Sequence, residues 1–392
     1  MPLIYLDNSA TTRPLPGVIE AVRRSMAEGY GNPSSLHRLG MEAERAMEDA
    51  RSEVANLLSV DRTEMYFTSG ATESNNALIR GVLRAYRHRG NHVITTAVEH
   101  PSVRGLCEHL EREGTRVTYL PVDEEGRIDP EDVRRHLDPE TILCTIMTVN
   151  NEMGAVQPLA EVGAILAQAP SPRPIFHTDA VQAVGKLNVN WRHAGVDALS
   201  ISAHKFHGPR GVGALYLRKG LNLPPLLQGG GQERGFRSGT ENTPAIAGMA
   251  EAARWLREEG FAEYARLHTL KQYLGDQIRS TIPDSYINGP PPGAPADRGA
   301  PHILNASFPG IRGEVLVHAL EEHDICVSTG SACSAKGAKE KTAVDVMPIG
   351  DARAETAIRI SLCPFNTRDE MDRVLSVLRK TVPALRRITR GL

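Results

Sequence analysis

The run Asp197–Gly213, DALSISAHKFHGPRGVG, passes from an apolar, β-prone segment into Ser202, His204 and Lys205, and then into a Gly/Pro turn. The next segment, GVGALYLR at 211–218, is again β-prone and begins after only a short polar link. A link that short cannot carry a crossover helix, so the second strand must turn back antiparallel beside the first. Upstream, EMYFTS (64–69), HVITTAVE (92–99), RVTYLPV (116–122), TILCTIMTV (141–149) and PIFHTDA (174–180) read as five further strands, each flanked by Gly, Pro, Asp or Asn. Helical patterns separate them from about residue 16 to residue 220. Strands alternating with helices predict the α/β class, here a seven-stranded, mostly parallel sheet with helices on both faces.

Between the first two strands, ATESNNALIRGVLRAYRHRG sets Ala77, Leu78, Val82, Leu83 and Tyr86 on one helical face and ends on Gly90, the residue expected to stop the helix. Beyond a Gly-rich stretch at 229–239, the residues from Thr243 to Ile282 read as one or two long helices, a bridge to a smaller domain. PDSYINGPPPGAPADRGAPH is loop, and the remainder alternates strand and helix as a compact α+β unit. The expected division is a large domain over 16–256 and a small domain formed by 1–15 and 257–392.

The chain has 392 residues, enough for a large core, and a formal net charge of -2, which gives no global attraction to nucleic acid or to a membrane surface. Five cysteines without a C-x-x-C pair argue against a disulfide framework or a zinc site and fit a reducing compartment. The N-terminus lacks the pattern of a signal peptide, and no apolar run approaches the roughly 20 residues of a membrane helix. A soluble cytoplasmic protein is expected.

Four strand ends carry chemistry. Lys205 closes an apolar strand among hydroxyl and imidazole groups; a lysine there is ordinarily a surface charge, but this setting suits one that forms a Schiff base. YFTSGATESNN reads as strand, Gly turn and helix, where Ser69 or Thr72 would cap the helix and the free amides would hold a phosphate. It has no P-loop lysine, which disfavours a nucleotide. Asp179 ends the strand of FHTDAVQ with Gln182 three residues on; a carboxylate there is commonly a loop-facing charge, and is also what would keep a pyridinium nitrogen protonated. His100, in AVEHP, is either a surface imidazole or a ring-stacking, proton-transferring one. All four lie at the C-terminal ends of strands in one sheet, the edge at which open α/β sheets bind ligands. A pyridoxal phosphate site is the one reading that uses them all.

A last stretch, VSTGSACSAKG at 327–337, puts Cys333 among Ser, Ala and Gly ahead of three lysines. Cys144 and Cys326 sit in apolar runs and read as core, whereas Cys333 reads as an accessible thiol near positive charge, a candidate nucleophile.

In order along the chain, YLDNSATT, FTSGATESNN, VEHPSV, VNNEMGAVQP, HTDAVQAVGK, SISAHKFHGPRGVGALYLR, RSGTENTP and STGSACSAKG make the sequence resemble the class V, fold-type I pyridoxal phosphate enzymes. Among them it is similar to the cysteine desulfurases whose reactive cysteine lies in a Ser-Gly-Ser-Ala-Cys loop. The resemblance implies that Lys205 bonds the cofactor and carries the proton, that His100 lies over the cofactor ring, and that Asp179 meets the pyridine nitrogen and Gln182 the phenolic oxygen. It implies Ala71, Thr72, Ser202 and His204 as phosphate ligands, with Thr240 reaching the phosphate of a neighbouring subunit, hence a homodimer. Asn151 and Arg359 would hold the substrate carboxylate. The implied reaction takes sulfur from L-cysteine, leaves L-alanine and a persulfide on Cys333, and delivers the sulfur to a protein acceptor, an iron–sulfur scaffold or a tRNA-thiolating enzyme; selenocysteine could enter the same path. Where many relatives continue Leu-Gly-Arg-Phe-Thr after the arginine, this chain has SLCPFNT, and Cys363 reads as structural. The alternatives are a transaminase or β-lyase of the same fold, which would not need Cys333, and a degenerate scaffold, which would have lost Lys205 or Cys333.

Overall fold

The computed structural model describes residues 2–329 and 342–390. The chain opens with a short strand, β1 (Ile4–Tyr5), and two helices, α1 (Pro16–Ala27) and α2 (Arg38–Leu58). The main sheet follows: β2 (Met65–Thr68), β3 (His92–Thr96), β4 (Arg116–Leu120), β5 (Thr141–Thr145), β6 (Ile175–Asp179), β7 (Ala198–Ser202) and β8 (Gly213–Leu217). Its spatial order is β2-β8-β7-β6-β5-β3-β4. Only β8 runs against its neighbours, pairing antiparallel with both β7 and β2. All seven strands and the reversal at β8 are those the sequence predicts.

Every residue of β3, β5, β6, β7 and β8 is buried, as the continuous apolar runs require of strands covered on both faces. Alternate residues divide between two cores. Val93, Leu143, Ile175 and Ala198 pack with α3 (Ala71–Tyr86) and α4 (Pro101–Arg112). Ile94, Cys144, Phe176 and Leu199 point the other way, toward α2, α5 (Pro130–His136), α6 (Leu159–Ala167) and α7 (Thr243–Trp255). Helix α3 ends at Tyr86, four residues before Gly90. Gly90 is glycine for a different reason: a Cβ there would collide with the backbone of Glu140.

Helix α7 runs through one π turn, Leu256–Gly260, into α8 (Phe261–Thr281). A second, three-stranded sheet, ordered β12-β10-β9, is built from β9 (Tyr286–Asn288), β10 (Ile303–Ser307) and β12 (Ala357–Ser361). Around it stand α9 (Gly313–Glu321), the short α10 (Asp351–Ala354) and α11 (Arg368–Arg390). A two-residue strand, β11 (Ile325–Cys326), pairs parallel with β1. The N-terminal segment therefore spans both sheets. Asp7 bridges to Ser361, while the Thr12 amide donates to the His204 carbonyl at 2.9 Å. This clamp draws the turn after β7 towards the second sheet.

Candidate active site

Strands β2, β3, β6 and β7 all point their C-terminal ends at one cavity of about 390 Å³. Its walls bring together Ala71, Thr72, His100, Asn151, Asp179, Gln182, Ser202, His204 and Lys205, nine of the residues singled out in the sequence. Arg359 stands behind this wall on β12. Thr240 is exposed between β8 and α7 and lies outside the cavity. Cys333 falls outside the described residues.

The phosphate-like cradle is made by glycine and free amides. Gly70 precedes α3 with φ +154°, a conformation that favours glycine, and no side chain caps the helix. Neither Ser69 nor Thr72 is the cap that the sequence suggested; the Ser69 amide instead donates to Glu73 Oε2 at 3.0 Å. The first-turn amides of α3 are thus left for a ligand at the positive end of the helix dipole. Gly213 of β8 makes the close approach possible, since a Cβ there would lie 2.7 Å from Gly70 Cα. A bulkier residue at either place would fill or displace the cradle.

Lys205 leaves the end of β7 on a short 3₁₀ turn and donates to the carbonyls of Ser9 and Ala10, at 2.6 and 2.9 Å. Burial, reinforced by the Arg359 charge, pulls its amine down to about 8. A large neutral fraction near that pH is what a carbonyl-bonding lysine needs. His204, whose Nδ1 is 3.2 Å from Thr11 Oγ1, is pulled down to about 4 by burial and by Lys205, so its imidazole is neutral at pH 7. The Asp179 carboxylate accepts from Asn75 Nδ2 at 2.9 Å and from the Val181 amide at 3.0 Å, and it keeps lone pairs for a donor in the cavity. Gln182 Nε2 donates to the Ser9 carbonyl at 2.9 Å, and its Oε1 lies 3.4 Å from Lys186 Nζ and 3.3 Å from His302 Nε2. A desolvated lysine, an anion cradle and a buried carboxylate, all on one cavity of this size, fit the aldehyde, phosphate and pyridine nitrogen of pyridoxal phosphate.

Arg359 is 4% exposed and already engaged. Its guanidinium donates to Asp7 Oδ1 at 2.7 Å and to the Asn151 carbonyl at 2.9 Å, while Nε is buried without a partner among the described residues. Asp7, Ser9, Asn75, Ser102 and Glu99 were not singled out in the sequence. Glu99 accepts from Thr96 Oγ1 at 2.9 Å and from the Met147 amide at 2.8 Å, and burial pushes its carboxyl up to about 8. The one available signal was Asn75, a polar residue three and four positions before Leu78 and Ile79 on the buried face of α3. Cys363 is buried and its thiol is pushed up to about 11 by burial, which fits the structural role read for it.

The aminotransferase class-V family model matches residues 4–374. The NifS/IcsS protein homolog of Lactobacillus delbrueckii subsp. bulgaricus is 48% identical over 95% of this chain and 96% of its own length. Cysteine desulfurase IscS of Dictyoglomus turgidum is 41% identical, over 98% of this chain and 96% of its own. Among solved structures, a NifS-like protein superposes with a TM-score of 0.89 at 38% identity, covering 97% of this chain and all of that one.

Proposed function

Because the chain belongs to the aminotransferase class-V family, in its NifS/IscS cysteine desulfurase branch, we propose that it binds pyridoxal phosphate in the cavity beside Lys205. There it converts L-cysteine to L-alanine and a persulfide on Cys333. The observation that carries the reading is Lys205 itself, a desolvated amine at about 8 facing the cradle of Gly70, Ala71 and Thr72 across one cavity. When bound, pyridoxal phosphate supplies an electron sink for the substrate α-carbon.

The chain's own residues do the rest. Ala71 and Thr72 hold the phosphate with the amides of α3, joined by Ser202 and a neutral His204. Asp179 keeps a proton at the pyridine nitrogen, and Gln182 meets the phenolic oxygen with the Nε2 hydrogen that it does not give to Ser9. Lys205 carries the α-proton away and returns a proton to the product. Arg359 and Asn151 bind the substrate carboxylate, with Asp7 fixing one arm of the guanidinium. The Cys333 thiolate attacks the substrate sulfur: its S–S bond forms as the substrate C–S bond breaks, and the electron pair of that bond stays with the carbon fragment that becomes alanine.

The same reading makes the enzyme a homodimer in which Thr240 of each protomer serves its partner's phosphate, with a protein acceptor taking the sulfur. It divides the chain into a large domain over 16–256 and a small one of 1–15 and 257–392, bringing the Cys333 segment on the second to the cavity on the first. Among the described residues no helix is long and apolar enough to cross a membrane, and cytoplasmic sulfur transfer is the proposed setting.

Incubating the protein with pyridoxal phosphate, L-cysteine and a reductant should yield alanine and sulfide in equal amounts, and mass spectrometry without reductant should find one added sulfur on the Cys333 peptide. Cys333→Ser should keep the cofactor and lose turnover on the order of 100-fold or more, a hydroxyl being a far poorer nucleophile than a thiolate. Pyruvate in place of alanine, or full turnover by Cys333→Ser, would assign the protein to the lyases or transaminases of this fold instead.

A further inference from the structure

Asn75 is fully buried within the first turns of α3, behind the cavity wall. Its Nδ2 lies 2.9 Å from Asp179 Oδ2 and 2.9 Å from Ser102 Oγ. Ser102 Oγ in turn lies 2.8 Å from His100 Nδ1, and the Ser102 amide nitrogen is 3.1 Å from the same ring nitrogen. Four side chains from β6, α3 and the start of α4 thus form one continuous chain, and three of them line the cavity.

The direction of every hydrogen bond in this chain follows from donor counting. A carboxylate only accepts, so Asn75 must present its NH₂ to Asp179. That group has two hydrogens: one goes to Asp179 and the other to Ser102 Oγ. Because the Ser102 backbone amide also points at His100 Nδ1 and makes that nitrogen an acceptor, the serine hydroxyl must send its single hydrogen there. The Ser102 amide can only donate, and it converges on the same nitrogen as part of the cap of α4. A ring nitrogen that faces two donors carries no proton, so the proton of the neutral imidazole sits on Nε2.

We propose that Ser102 and Asn75 are positioning residues that fix His100 as the Nε2–H tautomer and tie its ring orientation to Asp179. His100 then enters the reaction as a hydrogen-bond donor at Nε2. To accept a proton it would have to break both bonds to Ser102, because only Nδ1 is bare. The tautomer stands on geometry alone; its consequence for turnover rests on the function proposed above. Buried polar networks of this kind, with every donor assigned, specify one arrangement. The remaining acceptor of the set, Asn75 Oδ1, has no partner among the described residues, which leaves Asn75 nothing to gain by flipping.

The test is ¹⁵N NMR of ring-labelled histidine in the cofactor-free protein, at about pH 8 where free imidazole is neutral, with the His100 signals assigned by their loss in His100→Gln. Wild type should give a pyridine-like Nδ1 and a pyrrole-like Nε2. Ser102→Ala leaves only the longer amide bond on Nδ1 and should move the two shifts part of the way towards each other, and Ser102→Thr, which keeps the hydroxyl, should restore them. Asn75→Ala should act in the same direction as Ser102→Ala without touching the cap. In the loaded enzyme Ser102→Ala should lower kcat about five- to tenfold, the factor one hydrogen bond carries, with KM for cysteine unchanged and Ser102→Thr near wild type. A protonated Nδ1 in wild type, or spectra unaltered by both Ser102→Ala and Asn75→Ala, would overturn the proposal. A protein that shows the expected spectra yet fails to desulfurate cysteine would refute the function and leave the tautomer standing.

Discussion

Three lysines, Lys186 and Lys271 buried and Lys205 half-buried, are displaced in the same direction for the same reason: desolvation draws Lys186 down to about 7 and both Lys205 and Lys271 down to about 8. Lys271 donates to the Ala300 carbonyl at 2.6 Å and Lys205 to two carbonyls, but among the described residues Lys186 reaches only Gln182 Oε1, at 3.4 Å. Lys186 therefore bears the least compensated charge. With its folded pKa below the unfolded one, the unfolded chain binds the extra proton between about pH 7 and pH 10.5, and folding gains stability as pH rises through that window. Below pH 7 the burial cost is present in full. Lys186→Met should stabilise the protein by on the order of 2–4 kcal/mol near pH 6.5, with the gain shrinking to nothing toward pH 10.5, as read by urea unfolding at several pH values. A gain that does not depend on pH would mean that packing and not charge is responsible. Lys205 was legible in the sequence because polar groups crowd a strand end that is otherwise apolar. Lys186 was not, since a lysine four residues after Gln182 looks the same whether it faces solvent or core.

The segment from Gly229 to Asn242 has almost no regular structure, yet it must present Thr240 and adjoin the cradle. It is held by ionic pins. Arg51 of α2 grips Glu233 through two bonds, 2.7 and 2.8 Å, and Glu233 also accepts from the Phe67 amide of β2 at 2.8 Å. Further on, Arg237 donates to Glu73, in the first turn of α3, at 2.9 Å. Between these anchors Glu233 and Arg234 both take left-handed conformations, φ 47° and 55°, each costing about 1–3 kcal/mol and sustained only where the surroundings over-determine them. Arg51→Met should leave the Glu233 carboxylate buried without a counter-charge, held only by the Phe67 amide, and cost about 3–5 kcal/mol. Arg51→Met combined with Glu233→Gln should recover much of that loss, and denaturant unfolding of the three proteins measures both. Additive losses would show that the two residues act separately. At this scale the sheet was fully legible, because runs such as TILCTIMTV have one use in a covered strand. The caps were less so. Ser69 and Thr72 have the right chemistry for capping α3, but Gly70 takes the position, with a backbone at φ +154° that favours glycine. The π turn between α7 and α8 leaves no mark on a pattern that is helical throughout.

Of the large apolar side chains left in water, four follow one another on one stretch of the chain. Ile19 and Met26 on α1, with Tyr30 and Leu36 in the link to α2, are 59 to 95% exposed. Neighbouring exposed apolar groups of this size mark an association surface, and a second copy of the chain is the partner that the proposed function calls for. Thr240 has the same logic: it is exposed and outside its own cavity, so it serves a phosphate only if that phosphate belongs to another protomer. A net charge of -2 and a composition without extremes carried none of this in the sequence, because an interface is a matter of which residues meet at the surface. Sedimentation should give about 85 kDa, twice the 42.7 kDa of one chain. A complementation experiment tests the sharing itself. Thr240→Ala alone should release pyridoxal phosphate roughly tenfold more readily, for one lost hydrogen bond to a charged group. Mixed dimers of Thr240→Ala with Lys205→Ala contain one competent Lys205, and the threonine that serves it comes from the other chain, so cofactor retention at that site should return to the wild-type level. Mixed dimers of wild type with the Thr240→Ala, Lys205→Ala double variant contain the same side chains in the other arrangement, and their single competent site should stay weak. Equal retention in the two mixtures would mean that Thr240 serves neither phosphate, and the reverse order would mean that it acts within its own protomer; either result would require the shared site to be abandoned.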